Sequence, residues 1–154
     1  MAQPMRFAAV YEAGDAWLAD CSAHPTLIRA AWNKDALAPI ASGVRWLAAE
    51  TALLTTMKAL NRIREGYRGP VLADTEVDKA WWLVPLNAAD ELADWRQVTV
   101  HVKGWPLHCP PTGWHLESRM WLCRPDGSGR LTELAVLVAA FGPGGHRHHA
   151  KAAQ

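Results

Sequence analysis

The rhythm of apolar and polar positions changes at Pro70. Before it the apolar residues fall in helical groupings. Phe7 to Leu18 is dense enough in them for a short helix closed by Asp20-Cys21-Ser22, and Pro25 opens a second short helix over Thr26 to Trp32. Pro39 to Gly43 reads as a brief buried strand ending in a turn. From about Leu47 to Arg64, residues Leu53, Met57, Leu60 and Ile63, with Leu54 beside them, keep the i, i+4, i+7 spacing of one helical face. Arg62 and Arg64 suit the negative end of that helix dipole, and Gly66 with Gly69-Pro70 supplies the stop.

Beyond Pro70 the pattern becomes that of strands. Val71-Leu72-Ala73 and Ala80 to Val84 flank a polar loop of hairpin length, so they are expected to pair antiparallel. A short helix over Ala88 to Trp95 follows. Val98 to Lys103 alternates strictly, which predicts Val98, Val100 and Val102 on a buried face and Thr99, His101 and Lys103 on the other. Trp105 to Cys109 and Arg119 to Cys123 read as further strands around Pro110-Pro111-Thr112-Gly113. A last helix carries Leu134, Leu137, Val138 and Phe141 on one stripe, with Thr132 as its N-cap and a Leu131/Val136 staple. The sum is an α+β fold, a small and mostly antiparallel sheet with helices packed on one face of it.

Length and composition narrow this further. A chain of 154 residues, 50% hydrophobic and 20% charged, is sized for one domain, taken as residues 1–145 and followed by a flexible His-rich tail, 146–154. The formal net charge of +1 supplies no general field for nucleic acid or anionic membrane, so any such contact has to be a local patch. Three cysteines without close pairing argue for reduced thiols. With neither a signal-peptide pattern nor a long apolar run, a cytoplasmic protein without membrane contact is expected. Nine Trp against two Phe and two Tyr predict a core built on indoles.

Several stretches, in fixed order from about His24 to Phe141, resemble the bifunctional primase/polymerase N-terminal domain family, a branch of the archaeo-eukaryotic primase fold. His24-Pro25 followed by IRAAW is similar to the family's HP turn and helix, and APIASG to its short strand and glycine. GPVLAD and WWLVP resemble the central hairpin. The run from VTVHVKGWPLHCPPTGW to LTELAVLVAAF resembles the strand, glycine turn, Pro-Pro-Ser/Thr strand, hairpin return and final helix. The resemblance implies a primase-polymerase-like fold and a setting in replication or mobile-element maintenance.

What it implies for chemistry is a loss. Active members hold two divalent metals on carboxylates, which activate the primer oxygen and neutralise developing charge. The corresponding first motif falls in VRWLAAE, where Glu50 is the only acid. The central His position reads Trp82 or its neighbour, and the third Asp position reads Thr99. The family's metal knuckle is reduced to Cys21 and His24.

Polymerase chemistry is therefore not expected, and no cofactor is. Thr99, His101, Lys103 and Arg119 are the candidate nucleic-acid contacts, since a cationic face without metals still pairs with phosphates. Cys21 and His24 have metal-ligand spacing, with His108, Cys109, His115 and Cys123 as distant complements. Asp74, Glu76 and Asp78 alternate as in a calcium loop but lack its glycine and distal Glu, and read as a solvated hairpin tip. The expected role is binding, to DNA or to a replication protein. The alternatives are a protein-interaction or homo-oligomerising module, and an enzyme with an unrecognised Cys/His or zinc site.

Overall fold

The computed structural model describes residues 2–142, with side chains from residue 11 onward. Helix α1 (Ala2–Asp20) and helix α2 (Pro25–Asn33) come first. Pro25 sits at the start of α2, where its fixed φ suits a helix and its missing N–H costs no bond. Strands β1 (Ala38–Ala41) and β2 (Leu47–Ala52), helix α3 (Leu53–Leu60) and a single 3-10 turn (Glu65–Tyr67) follow. Next are β3 (Val71–Asp74), β4 (Lys79–Val84), helix α4 (Ala88–Glu91), β5 (Thr99–Val100), β6 (Pro106–Cys109) and β7 (Arg119–Cys123). Helix α5 covers residues 134–142. The His-rich tail and the domain boundary at 145 lie outside the described residues.

The strands form one five-stranded sheet, ordered β5-β2-β4-β3-β7 with every pair antiparallel, and a two-stranded sheet of β1 and β6. The fold is thus α+β with a mostly antiparallel sheet. Period-two alternation along the central strands gives that sheet two buried faces. Ala48, Leu72, Trp81, Leu83 and Trp121 pack with Leu18 of α1, Ile28 and Trp32 of α2, and Ile40 and Leu107 of the small sheet. Ala49, Val71, Ala80, Trp82 and Val84 pack with Ala59 and Leu60 of α3, Ala88 of α4, and Leu137 and Phe141 of α5. Helices therefore cover both faces, where the sequence pattern suggested one.

Four further expectations are corrected. The long helix from Leu47 is a strand up to Ala52, because pairing with β4 on one side and β5 on the other outweighs the helix propensity of its alanines. Helix α3 buries Thr56, Ala59 and Leu60, while Leu54 and Met57 face solvent. Thr56 is drawn inward because its hydroxyl accepts the Trp82 indole N–H at 3.0 Å. Strand β5 ends at Val100, His101 adds one more backbone bond to Ala48 O before the chain turns at 103–104, and Val102 is 78% exposed. Thr132 does not cap α5. Its buried hydroxyl accepts the Gly69 amide at 2.8 Å, while Leu131 and Val136 pack into opposite cores and form no staple.

Six of the nine tryptophans are buried. Most have an acceptor for the indole N–H, which burial demands: Cys109 O for Trp32, Glu50 for Trp81, Thr56 for Trp82 and Pro110 O for Trp121. Trp46 Nε1 lacks a well-aligned acceptor, although its indole lies near enough to the Cys21 sulfur to favour the thiolate.

A Cβ on Gly69 would overlap the backbone of Leu131 and Thr132. Gly69→Ala is expected to cost about 2–3 kcal/mol by overpacking, read in thermal unfolding as a fall of roughly 5–10 °C in Tm.

Candidate functional site

The sheet face toward α1 and α2 is apolar except along one polar row. Glu50, on β2, stands opposite Trp81 of β4 and Thr99 of β5. The three positions that the resemblance gives to metal-binding chemistry thus meet side by side, with Trp81 rather than Trp82 at the middle one. Trp82 belongs to the opposite core.

Glu50 is closed by its neighbours. Its Oε1 lies 2.9 Å from His101 Nε2 and accepts the Trp81 indole N–H at 3.0 Å, and Lys79 Nζ is 3.8 Å from Oε2. Burial pulls this carboxyl upward. The hydrogen bonds from His101 and Trp81, with the charges of His101 and Lys79, outweigh it and hold the group below the ordinary range. An ionised carboxylate only accepts, so His101 Nε2 carries its hydrogen toward Glu50. The imidazole is further fixed by stacking on Trp105, with ring centres 3.7 Å apart and planes within 5°.

The row continues across Trp81 to a second closed carboxylate. The Arg119 guanidinium lies 4.5 Å from the Trp81 ring centre and donates from Nε to Asp74 Oδ2 at 3.0 Å. Asp74 also accepts the Ser118 hydroxyl at 2.7 Å and the Glu76 amide at 3.0 Å. Burial again raises the carboxyl, and these hydrogen bonds with the Arg119 charge bring it below its usual value. Asp74 is therefore a buried ion-pair partner and no part of a solvated loop tip. Both carboxylates were visible as residues in the sequence, but their partners were not. The early signals are that Lys79 and Trp81, two apart, fall on one strand face, as do Thr99 and His101; that Glu50 joins them is set by the strand register.

The expected nucleic-acid contacts separate in space. Thr99 is exposed beside Glu50, His101 is half-buried, and the exposed Lys103 runs its stem over Gly43, whose missing side chain leaves the room. Arg119 lies on the opposite edge strand from β5 and not on a neighbour of it. Its Nη1 donates to His108 O at 2.8 Å and its charge is paired with Asp74, so the guanidinium is anchored and neutralised within the fold.

Among the described residues no group of three or more His, Cys, Asp or Glu is gathered for a metal. Cys21 is buried, where desolvation raises its thiol, while His24 is exposed at the start of α2. Burial also raises Cys109, whose strand neighbour His108 faces solvent. Thr112 of the Pro-Pro-Thr turn has a structural task, its amide donating to Asp15 of α1 at 2.7 Å.

Comparison with known proteins returned no match: no family model, no curated protein and no solved structure is significantly similar to the chain. No helix among the described residues is long and apolar enough to cross a membrane.

Lowered carboxyls link the row to acid stability. Because the native pKa values lie below the unfolded ones, the stabilisation is complete above the ordinary values of 4.5 for Glu50 and 3.8 for Asp74, and is lost as pH falls through the lowered native values. Asp74→Asn strands the Arg119 charge and is expected to cost about 3 kcal/mol at neutral pH. Glu50→Gln is expected to cost about 1–2 kcal/mol. Thermal unfolding from pH 7 to pH 3 checks both: each variant loses less stability in acid than the parent, and parallel curves would refute the pairing.

Proposed function

We propose that this chain is a catalytically silent, primase-polymerase-like domain that works by binding nucleic acid rather than by joining nucleotides. The observation that carries this reading is the closed state of Glu50. Two-metal transfer needs several carboxylate oxygens free to accept cations. Here the one acid on the β2 face already accepts two hydrogen bonds and faces a lysine, while its strand neighbours at the corresponding positions are Trp81 and Thr99. A magnesium ion would have to displace His101 and Trp81 and leave their donors unpaired, at a cost of about 1–3 kcal/mol for each. The order of sequence stretches and the meeting of Glu50, Trp81 and Thr99 support the family assignment. Binding is assigned to the β5 edge, where Thr99 and Lys103 are exposed and His101 is half-buried between them.

A second reading has its own observation. Next to Lys103 an open groove of about 430 Å3 is lined by Leu47, Leu86, Val100 and Val102, and Leu86 and Val102 are at least half exposed. Such a patch favours a protein partner or a second copy of the chain at this edge.

Primer extension with magnesium or manganese is expected to show no incorporation, and incorporation that disappears in Glu50→Ala would overturn the proposal. Filter binding of single-stranded DNA should be measurable at about 50 mM salt and fall steeply above it, with Lys103→Ala reducing the log–log salt slope by about one. Absence of retention at that salt, together with a concentration-dependent rise in mass that Val102→Asp removes, would establish the second reading instead.

A further inference from the structure

Arg68, Arg124 and Arg130 line an open groove of about 610 Å3, together with Cys123, Glu65 and Asp126. It lies where β3 begins and β7 ends, with Val71 opposite Cys123. Asp74 and Arg119 are at the other ends of those strands, about 10 Å away at the usual rise per residue.

The three guanidinium groups are held, but not by carboxylates. Arg68 donates to Ile63 O at 2.9 Å and to Leu60 O at 3.0 Å, satisfying carbonyls at the end of α3. Arg130 donates to Gly66 O at 2.8 Å, and Arg124 lies 5.1 Å from the centre of the Tyr11 ring. Among the described residues, none of the three comes within 4.0 Å of an acidic oxygen, whereas Arg29 and Arg119 both do. Neutral tethers fix a cation's position without cancelling its charge.

Asp126 offsets only part of it, interacting with the Arg130 charge from beyond salt-bridge distance. Its Oδ1 accepts the Ser128 amide at 2.9 Å, which closes the 126–130 turn. Three positive charges against two negative ones leave an excess inside a concavity, in a chain whose whole formal charge is +1. Arg68 spends two donors and Arg130 one, so most of the N–H groups remain for a ligand. A planar guanidinium fork matches phosphate oxygens two at a time, and the volume falls in the range of about 300–1,000 Å3 typical of small-molecule sites.

We propose that this groove binds a small polyanion through its phosphoryl groups, with Arg68, Arg124 and Arg130 as the donors. The site is distinct from the β5 edge and does not depend on the nucleic-acid reading.

Cys123 supplies a local reporter, being the half-buried thiol at the groove while Cys21 and Cys109 are buried. Inorganic tripolyphosphate is titrated into the full chain at low salt by calorimetry, and iodoacetamide labelling of Cys123 is followed by mass spectrometry. Saturable binding and a several-fold slowing of Cys123 labelling are expected. Arg124→Gln with Arg130→Gln, both at exposed positions, should weaken binding at least tenfold and abolish protection, with Tm unchanged. Lys103→Ala should leave tripolyphosphate binding as it is. A 5′-phosphorylated oligonucleotide that competes would assign the phosphates to nucleic acid, and one that does not would assign them to a free polyphosphate. The proposal is overturned by absence of saturable binding up to millimolar tripolyphosphate, by equal binding to the double variant, or by loss of binding in Lys103→Ala.

Discussion

A carboxylate carried into the middle of a sheet and largely covered by side chains must keep its charge compensated, by water, by a metal or by protein donors. In this chain Glu50 is compensated by protein. That requirement sets the neighbourhood: Trp81 is the register partner whose indole reaches back, and His101, two residues after Thr99 and bonded through its amide to Ala48 O, falls on the same face as Glu50. Trp105 then stacks on the imidazole and limits its rotation. Removing one member of such a set costs more than the set contributes as a whole, because the charge left behind is buried and unpaired.

The same row explains how the sheet serves two cores. Adjacent residues Trp81 and Trp82 point to opposite faces, one indole bonding a carboxylate and the other a threonine hydroxyl. Each tryptophan contributes a large apolar body to its core and needs one acceptor, so the sheet acquires a small number of fixed polar contacts within otherwise apolar layers. Charge on the toward-α1 face is internally matched, Glu50 by His101 and Lys79, Asp74 by Arg119. Three arginines without a carboxylate within salt-bridge distance, Arg68, Arg124 and Arg130, gather at the other ends of β3 and β7.

Local features were legible from the residues. Pro25 and Pro70 marked real boundaries, the β3–β4 hairpin has the expected pairing, and β6, β7 and the last helix fall where the apolar pattern placed them. Features decided by distant partners were not. Ala48 and Ala49 carry no periodicity of their own, and only pairing on both sides makes Leu47–Ala52 a strand. Thr56 reads as polar until Trp82, 26 residues on, supplies a donor for its hydroxyl. Arg119 reads as a free surface cation until Asp74, 45 residues earlier, is beside it. Val102 satisfies the alternation of β5, but nothing in the pattern marks where the ladder stops. In the first three cases a long-range contact overrode a correct local rule, and at Val102 the ladder ran out.

The site's character depends on Glu50 being paired rather than available. The most direct measurement is an NMR titration of its side-chain carboxyl carbon, without and with millimolar magnesium. A paired Glu50 titrates with a midpoint below the ordinary 4.5 that magnesium leaves in place. A midpoint at or above that value, or a shift on adding magnesium, would contradict the pairing.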